Sequence, residues 1–228
     1  MKKVLILLLV LLAAFSILSA VELQLKEIEG ISIAPQNNRG EVEVDYCGTF
    51  NGKIIGTNEA GTLYAAARFT PTELANYVGD SFQQIKFIVI NTATDVTVRI
   101  FEGATAFTVG QMLYEGHVED LVTVDWCTHE LASSVAIEEG KDYWIVYEVT
   151  CTGGYPLAAD DGPAIAGKGD LISMDGIAWE SIKTEYNLNQ NFMVTAVVQN
   201  NPAENDMNAL GIIGLSGNVE ADKALIPE

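Results

Sequence analysis

The chain predicts an all-β fold, a jelly-roll-like β-sandwich with one short helix, on three observations. Asp95 to Phe101 places Val96, Val98 and Ile100 on one face and Thr97 and Arg99 on the other, the period of two that a half-buried strand requires. Turn-forming clusters punctuate such runs at Phe50-Asn51-Gly52, Asn91-Thr92-Ala93-Thr94, Glu102-Gly103 and Glu138-Glu139-Gly140. Tyr143 to Tyr147 is apolar on both faces, as a central strand of a sandwich must be.

In chain order, Met1-Lys2-Lys3 is a positive leader, followed from Val4 to Leu18 by an apolar run broken only by Ser16, then by Ser19-Ala20. This is the pattern of a secretory signal peptide over 1–20, cleaved after Ala20. The run of about 15 residues is shorter than the roughly 20 of a membrane span, and an uncleaved anchor is the alternative reading. No cysteine stands just after it, which argues against a lipid anchor, and no second long apolar run predicts a span in the mature chain.

Residues 21–40 read as a leader segment ending in an Asn/Pro-rich loop, and 41–200 as the sandwich module. Strands are expected over Glu41–Tyr46, Leu63–Phe69, Phe82–Ile90, Asp95–Phe101, Gln111–Val118, Leu121–Trp126, Asp142–Val149, Leu171–Met174 and Phe192–Gln199. Thr70-Pro71-Thr72-Glu73 is a capping box with proline at the first helical position, so a helix of about two turns is expected up to Gly79. Residues 201–228 form a linker-like tail whose apolar stretch, Ala209 to Leu215, reads equally as disordered, as an edge strand or as an assembly signal. No internal repeat is evident.

The formal net charge of −19 excludes nucleic acid and anionic membrane as partners, because phosphate binding needs Lys and Arg to displace counterions. Cys47, Cys127 and Cys151 allow one disulfide, and Cys127 with Cys151 is the expected pair because both end neighbouring predicted strands. His117 and His129 are too few and too scattered for zinc. G-x-S-x-G and H-E-x-x-H are both missing, and Gly214-Leu215-Ser216-Gly217 fails the first at its last position. A carboxylate pair assembled in space is the one hydrolytic chemistry left open, and the expectation is a protein that is not an enzyme.

Gly153 to Trp179 crowds glycine, proline and aspartate between aromatics. Asp160, Asp161, Asp170 and Asp175 are hard oxygen ligands of the kind calcium takes, although they lack EF-hand spacing. Aspartate beside glycine also caps turns through its own backbone, and the two readings are compatible. Tyr155, Trp179 and Tyr186 sit in or beside loops and are candidates for a sugar-stacking platform, with inward packing the other reading of Trp179. Trp126 and Trp144, inside apolar strands, read as core.

Four stretches in this order add a resemblance: Ala66-Ala67-Arg68-Phe69-Thr70-Pro71-Thr72-Glu73-Leu74; Lys141-Asp142-Tyr143-Trp144-Ile145-Val146-Tyr147; Gly154-Tyr155-Pro156 with Asp160-Asp161-Gly162-Pro163; and Gly167-Lys168-Gly169-Asp170 running to Trp179. Together with Asn191-Phe192-Met193-Val194 as closing strand, they resemble a β-sandwich module common in secreted and cell-surface proteins of Bacteroidetes and related bacteria, over about Val44 to Val198. The resemblance implies a non-catalytic jelly roll for binding or adhesion, and it makes the glycine, proline and aspartate positions of the loop part of the module's architecture. The expected function is a secreted or cell-surface module that binds a glycan or an extracellular protein. The alternative is a structural subunit of an extracellular layer or appendage that self-assembles by strand exchange through the leader or the tail.

Overall fold

The computed structural model describes residues 22–35 and 42–199, so the expected signal peptide and tail lie outside the described residues. The strands are β1 (Gln24–Glu27), β2 (Val42–Asp45), β3 (Lys53–Gly56), β4 (Gly61–Phe69), β5 (Ser81–Ile88), β6 (Ala93–Thr105), β7 (Thr108–His117), β8 (Trp126–Ala136), β9 (Tyr143–Cys151), β10 (Leu157–Ala159), β11 (Leu171–Ser173), β12 (Glu180–Ser181) and β13 (Val194–Gln199). A short helix, α1 (Ile182–Tyr186), follows β12 directly.

Two layers make an antiparallel sandwich. One is a six-stranded sheet in the order β12-β11-β4-β9-β6-β7. The other is a four-stranded sheet, β2-β13-β5-β8, extended by the three-stranded β1-β3-β10. Isolated bridges from Val89 to Leu157 and from Ala159 to Phe192 sew the extension onto the four-stranded sheet.

Alternation builds the core. Leu63, Ala65, Ala67 and Phe69 of β4, Val96, Val98 and Ile100 of β6, and Tyr143, Ile145, Tyr147 and Val149 of β9 point inward from the first layer. Phe82, Ile85 and Phe87 of β5 and Val194, Ala196 and Val198 of β13 meet them from the second. Phe87 stacks on Tyr147 with ring centroids 5.5 Å apart, and Phe82 meets Tyr143 edge-on at 5.4 Å. Trp144 and Val146 of β9 point outward and are also buried, in a cluster with Ala66, Leu171 and Trp179, so β9 is central on both faces as its sequence required. On the outer face of the second layer, Ile28, Ile31 and Ile33 pack over Phe50, Ile88, Trp126 and Met193, and Trp126 Nε1 donates to the carbonyl of Ala34 at 2.9 Å.

Several expectations are corrected. The disulfide does not form, and all three cysteines are free. β8 and β9 are consecutive in sequence but lie in opposite layers, so Cys127 and Cys151 stand in different sheets. Cys127 Sγ instead donates to the carbonyl of Asp120 at 3.9 Å, and Cys151 Sγ to that of Glu59 at 3.7 Å. Glu102-Gly103 is no turn but the interior of β6: a Cβ on Gly103 would stand 2.7 Å from Cβ of Asp142 and 2.9 Å from the Trp144 ring. Glycine is there for close approach rather than for a bend. Leu121–Asp125 is loop, and the strand begins at Trp126.

Only one half of the capping box at Thr70 forms, with Glu73 N–H on the Thr70 carbonyl instead of its hydroxyl, and no α-helix follows it. Thr70 N–H and Oγ1 both donate to Glu73 Oε2, at 2.9 and 2.6 Å, and the chain then makes only a 3-10 turn over Ala75–Tyr77. Burial pulls the Glu73 carboxyl upward, but bonds from Lys168, Thr70 and Tyr46 outweigh it and hold the pKa at about 2, below the ordinary 4.5. A depressed carboxylate stabilises the fold fully above its unfolded pKa, and that contribution is lost as pH falls through the folded value. Because Glu73 is only half-buried, solvent screening reduces the effect, and Glu73→Gln is expected to cost about 1 kcal/mol at pH 7. Chemical denaturation of both proteins at pH 7 and at pH 2 checks this: the difference between them must be much smaller at the acid end.

Val124 is the one β-branched residue with positive φ among those described, at 60° in the left-handed region. Its N–H donates to the carbonyl of Val89 at 2.8 Å, which holds the strained turn in place. Val124→Asn should stabilise the fold by about 1 kcal/mol, read as a raised denaturation midpoint at unchanged slope.

The outer strands are poor templates for added strands. β1 and β2 are four residues long and carry charges, and β12 has two residues; the longer edges are bulged, β7 against β6 at Ile100/Phe101, Phe101/Gly103 and Gly103/Thr105, and β8 against β5 at Phe82/Gln84. Short, charged or bulged edges are how sheets resist edge-to-edge addition.

Candidate binding site

The site is built where the six-stranded sheet runs out, between β11 and α1. Ser173 ends β11 opposite Tyr64 of β4. The next residues turn sharply because Asp175 Oδ1 accepts from Ile177 N–H at 2.8 Å, Ala178 N–H at 2.9 Å and Ser173 Oγ at 3.0 Å. Those donors, Ala178 and Ile177 first, hold the Asp175 carboxyl below the usual aspartate range. Gly176, with φ of 75°, lies flat on Tyr64; a Cβ there would approach the ring to 3.1 Å. Ile177 is left projecting at the tip, 77% exposed.

Trp179 turns back inward. It is 5% exposed and meets Trp144 edge-on at 5.3 Å, so it caps the outer apolar cluster. Ser181 then caps α1 by accepting from Thr184 N–H at 3.2 Å. Buried Asp170 fixes that cap: its Oδ2 accepts from Ser181 Oγ and, at 3.2 Å, from Lys183 N–H, and its Oδ1 from Gly167 N–H at 2.7 Å. The helix delivers Tyr186 next to Glu180, and its hydroxyl donates to Glu180 Oε2 at 2.8 Å. Burial, and then this carboxylate, push the Tyr186 phenol up to about 12.

The outcome is a hollow of about 170 Å³ with Ser173, Asp175, Glu180 and Tyr186 as its polar wall and Ile172, Met174 and Ala178 as its apolar one. A second hollow of about 180 Å³ lies across Met174, bounded by Glu59, Thr57, Thr62 and Leu63. Neither is lined by Lys, Arg or His, so both present acceptors to a ligand that brings donors.

The sequence-predicted residues do not converge. Of the aromatics, Tyr186 lines the hollow, and Trp179 is buried in the outer apolar cluster. Tyr155 stands on the other layer, its hydroxyl donating to Gln24 Oε1 at 2.9 Å and Lys26 Nζ 5.6 Å from its ring centroid. They form no common platform. Of the aspartates, only Asp175 reaches the hollow. Asp160 is buried, its Oδ1 accepting from Asn191 N–H at 2.7 Å and Gly162 N–H at 2.8 Å, its Oδ2 from Gly48 N–H and Asn191 Nδ2, both at 3.0 Å. Asp161 is exposed and accepts from Asn51 Nδ2 at 2.6 Å. Among the described residues no three His, Cys, Asp or Glu side chains are grouped to hold one metal ion. Sequence reasoning missed Glu180, Ser173 and Met174, since nothing in the sequence says that α1 will fold Tyr186 back onto Glu180.

Fold and site together define an antiparallel β-sandwich carrying a small acceptor-lined hollow on a braced loop. No family model matches the chain, and no curated protein does. Among solved structures it is similar to the cysteine protease and lectin-like domains of Cwp84, a surface layer associated protein of Clostridium difficile, at 15% identity and a TM-score of 0.48. The match covers 65% of this chain and 34% of that one, so it spans about a third of the neighbour's length. At that identity and TM-score it assigns this chain neither an activity nor a ligand. Among the described residues no helix is long and apolar enough to cross a membrane.

Proposed function

We propose that this chain is an exported, non-catalytic binding module whose ligand is a glycan, taken up at the hollow beside Met174. One observation carries the reading: Tyr186, Glu180, Asp175 and Ser173 offer a phenol, two carboxylates and a hydroxyl around a concavity whose other wall is apolar. Sugars present that pairing of hydroxyl donors with apolar C–H faces, and a pocket well below the roughly 300 Å³ of drug-sized sites suits one ring of a longer chain. The signal-like N-terminus and the resemblance to secreted and cell-surface modules support export. An extracellular protein is the second partner class, and the projecting Ile177 is the feature that would serve it. Assembly by strand exchange is less favoured, given the short, charged and bulged edges.

Isothermal titration against a panel of neutral oligosaccharides tests the reading. Binding that weakens at least tenfold in Tyr186→Ala and in Glu180→Ala, with the denaturation midpoint little changed, supports it. Panel-wide failure to bind, or binding indifferent to both substitutions, sinks it.

A further inference from the structure

Lys86 is buried on the outward face of β5, where an ammonium normally stays in water. Its side chain is 1% exposed, and Nζ lies 2.7 Å from Oε1 of Glu43, whose side chain is 9% exposed. Asp45, Thr195 and Lys86 stand side by side across β2, β13 and β5. Glu43 is two residues from Asp45 on the same face, so Lys86 reaches it over the intervening strand. Asp45 accepts from Thr195 Oγ1 at 3.5 Å, and burial, then the Glu43 charge, raise its carboxyl to about 6.

A buried ammonium–carboxylate contact loses much of its attraction to desolvation. Passing one proton from Nζ to the carboxylate within that contact gives the amine and acid from which an amide forms. We propose that Lys86 and Glu43 condense into an intramolecular isopeptide bond that staples β2 to β5 across β13.

In the step, the Nζ lone pair attacks Cδ of the protonated Glu43 carboxyl, and the new C–N bond forms as one C–O bond breaks. Asp45 passes a proton from the nitrogen to the departing hydroxyl, which leaves as water. The sum is ammonium plus carboxylate giving amide plus water, with no electron transfer and no further reactant. The fixed contact supplies a high effective concentration. The product carries no charge to keep desolvated, which favours it over the pair.

Intact-mass spectrometry of the full chain, purified folded and then denatured, tests this. The expected mass is below that of the processed sequence by one water, with a branched proteolytic peptide joining residues of β2 and β5. Lys86→Arg and Glu43→Ala should both restore the full mass. Asp45→Ala should lower the cross-linked fraction while circular dichroism stays that of the folded protein. Wild-type protein at full mass after prolonged folded incubation overturns the proposal, and so does a missing water that persists in Lys86→Arg. The readout is a mass taken after denaturation, so a poorly folding variant leaves the wild-type result decisive.

Discussion

Asp160→Asn is expected to destabilise the protein by about 4 kcal/mol, the largest effect of any single polar substitution in the Gly153–Trp179 region. Its two oxygens accept four N–H donors, from Gly48, Gly162 and both the backbone and side chain of Asn191. These donors belong to the loops after β2 and β10 and to the lead-in of β13, so one carboxylate fixes three segments at the end of the second layer. An amide of the same shape replaces one acceptor with a donor, leaving N–H facing N–H at a position only 3% exposed. Asp161→Asn, next door and exposed, should cost under about 0.5 kcal/mol. Urea denaturation of the two variants decides the matter: equal losses would refute the idea that Asp160 alone pins the loops. Calcium should not rescue Asp160→Asn, because the carboxylate serves protein donors.

How much of this was legible depends on the range of the interaction concerned. β4, β5, β6, β9 and β13 were readable because alternation reports burial of one face directly, and Tyr143 to Tyr147 announced a strand covered on both. The edges of β6 and β8 were misread because their signals were local and their causes were not. Gly103 looks like a turn until Trp144 is seen filling the space its side chain would take. The capping box at Thr70 is local and formed in part, through the Glu73 carboxylate on Thr70 N–H, yet the helix beyond it did not, since two turns that fully bury only Leu74 gain too little from packing. The buried residues of the 3-10 segment bear this out: there are none. The Cys127–Cys151 pairing failed for the same reason, because adjacency in sequence does not say which layer a strand joins. In the candidate site, Asp175 and Tyr186 were named in advance, but Glu180 and Ser173 become partners only through the loop that Asp175 itself closes.

Trp179→Ala should cost about 4 kcal/mol, although the residue lies in a loop and reads from sequence as a candidate ligand platform. Its ring fills the space over Ala66, Val146 and Leu171 and meets Trp144 edge-on at 5.3 Å. Removing it opens a cavity that the sheet beneath cannot collapse to fill, so both the transfer and cavity contributions are lost. The indole N–H makes no hydrogen bond, and the stability it supplies is therefore that of packing. Trp179→Phe, which keeps an aromatic ring in place, should recover more than half of the loss. The substitution also separates two roles that sit side by side in the chain. Tyr186→Ala acts on the rim of the hollow and should weaken ligand binding with a smaller cost in stability. Trp179→Ala releases the segment between Asp175 and Glu180 from the apolar cluster that Trp179 joins, so it should weaken binding in proportion to the destabilised loop. Hydrogen exchange of the Ile177 and Ala178 amides reads that loosening directly, since both donate to Asp175. If those amides keep their protection in Trp179→Ala while global stability falls, the loop is braced by its aspartate alone. If their protection falls with it, the core tryptophan and the surface site form one cooperative unit.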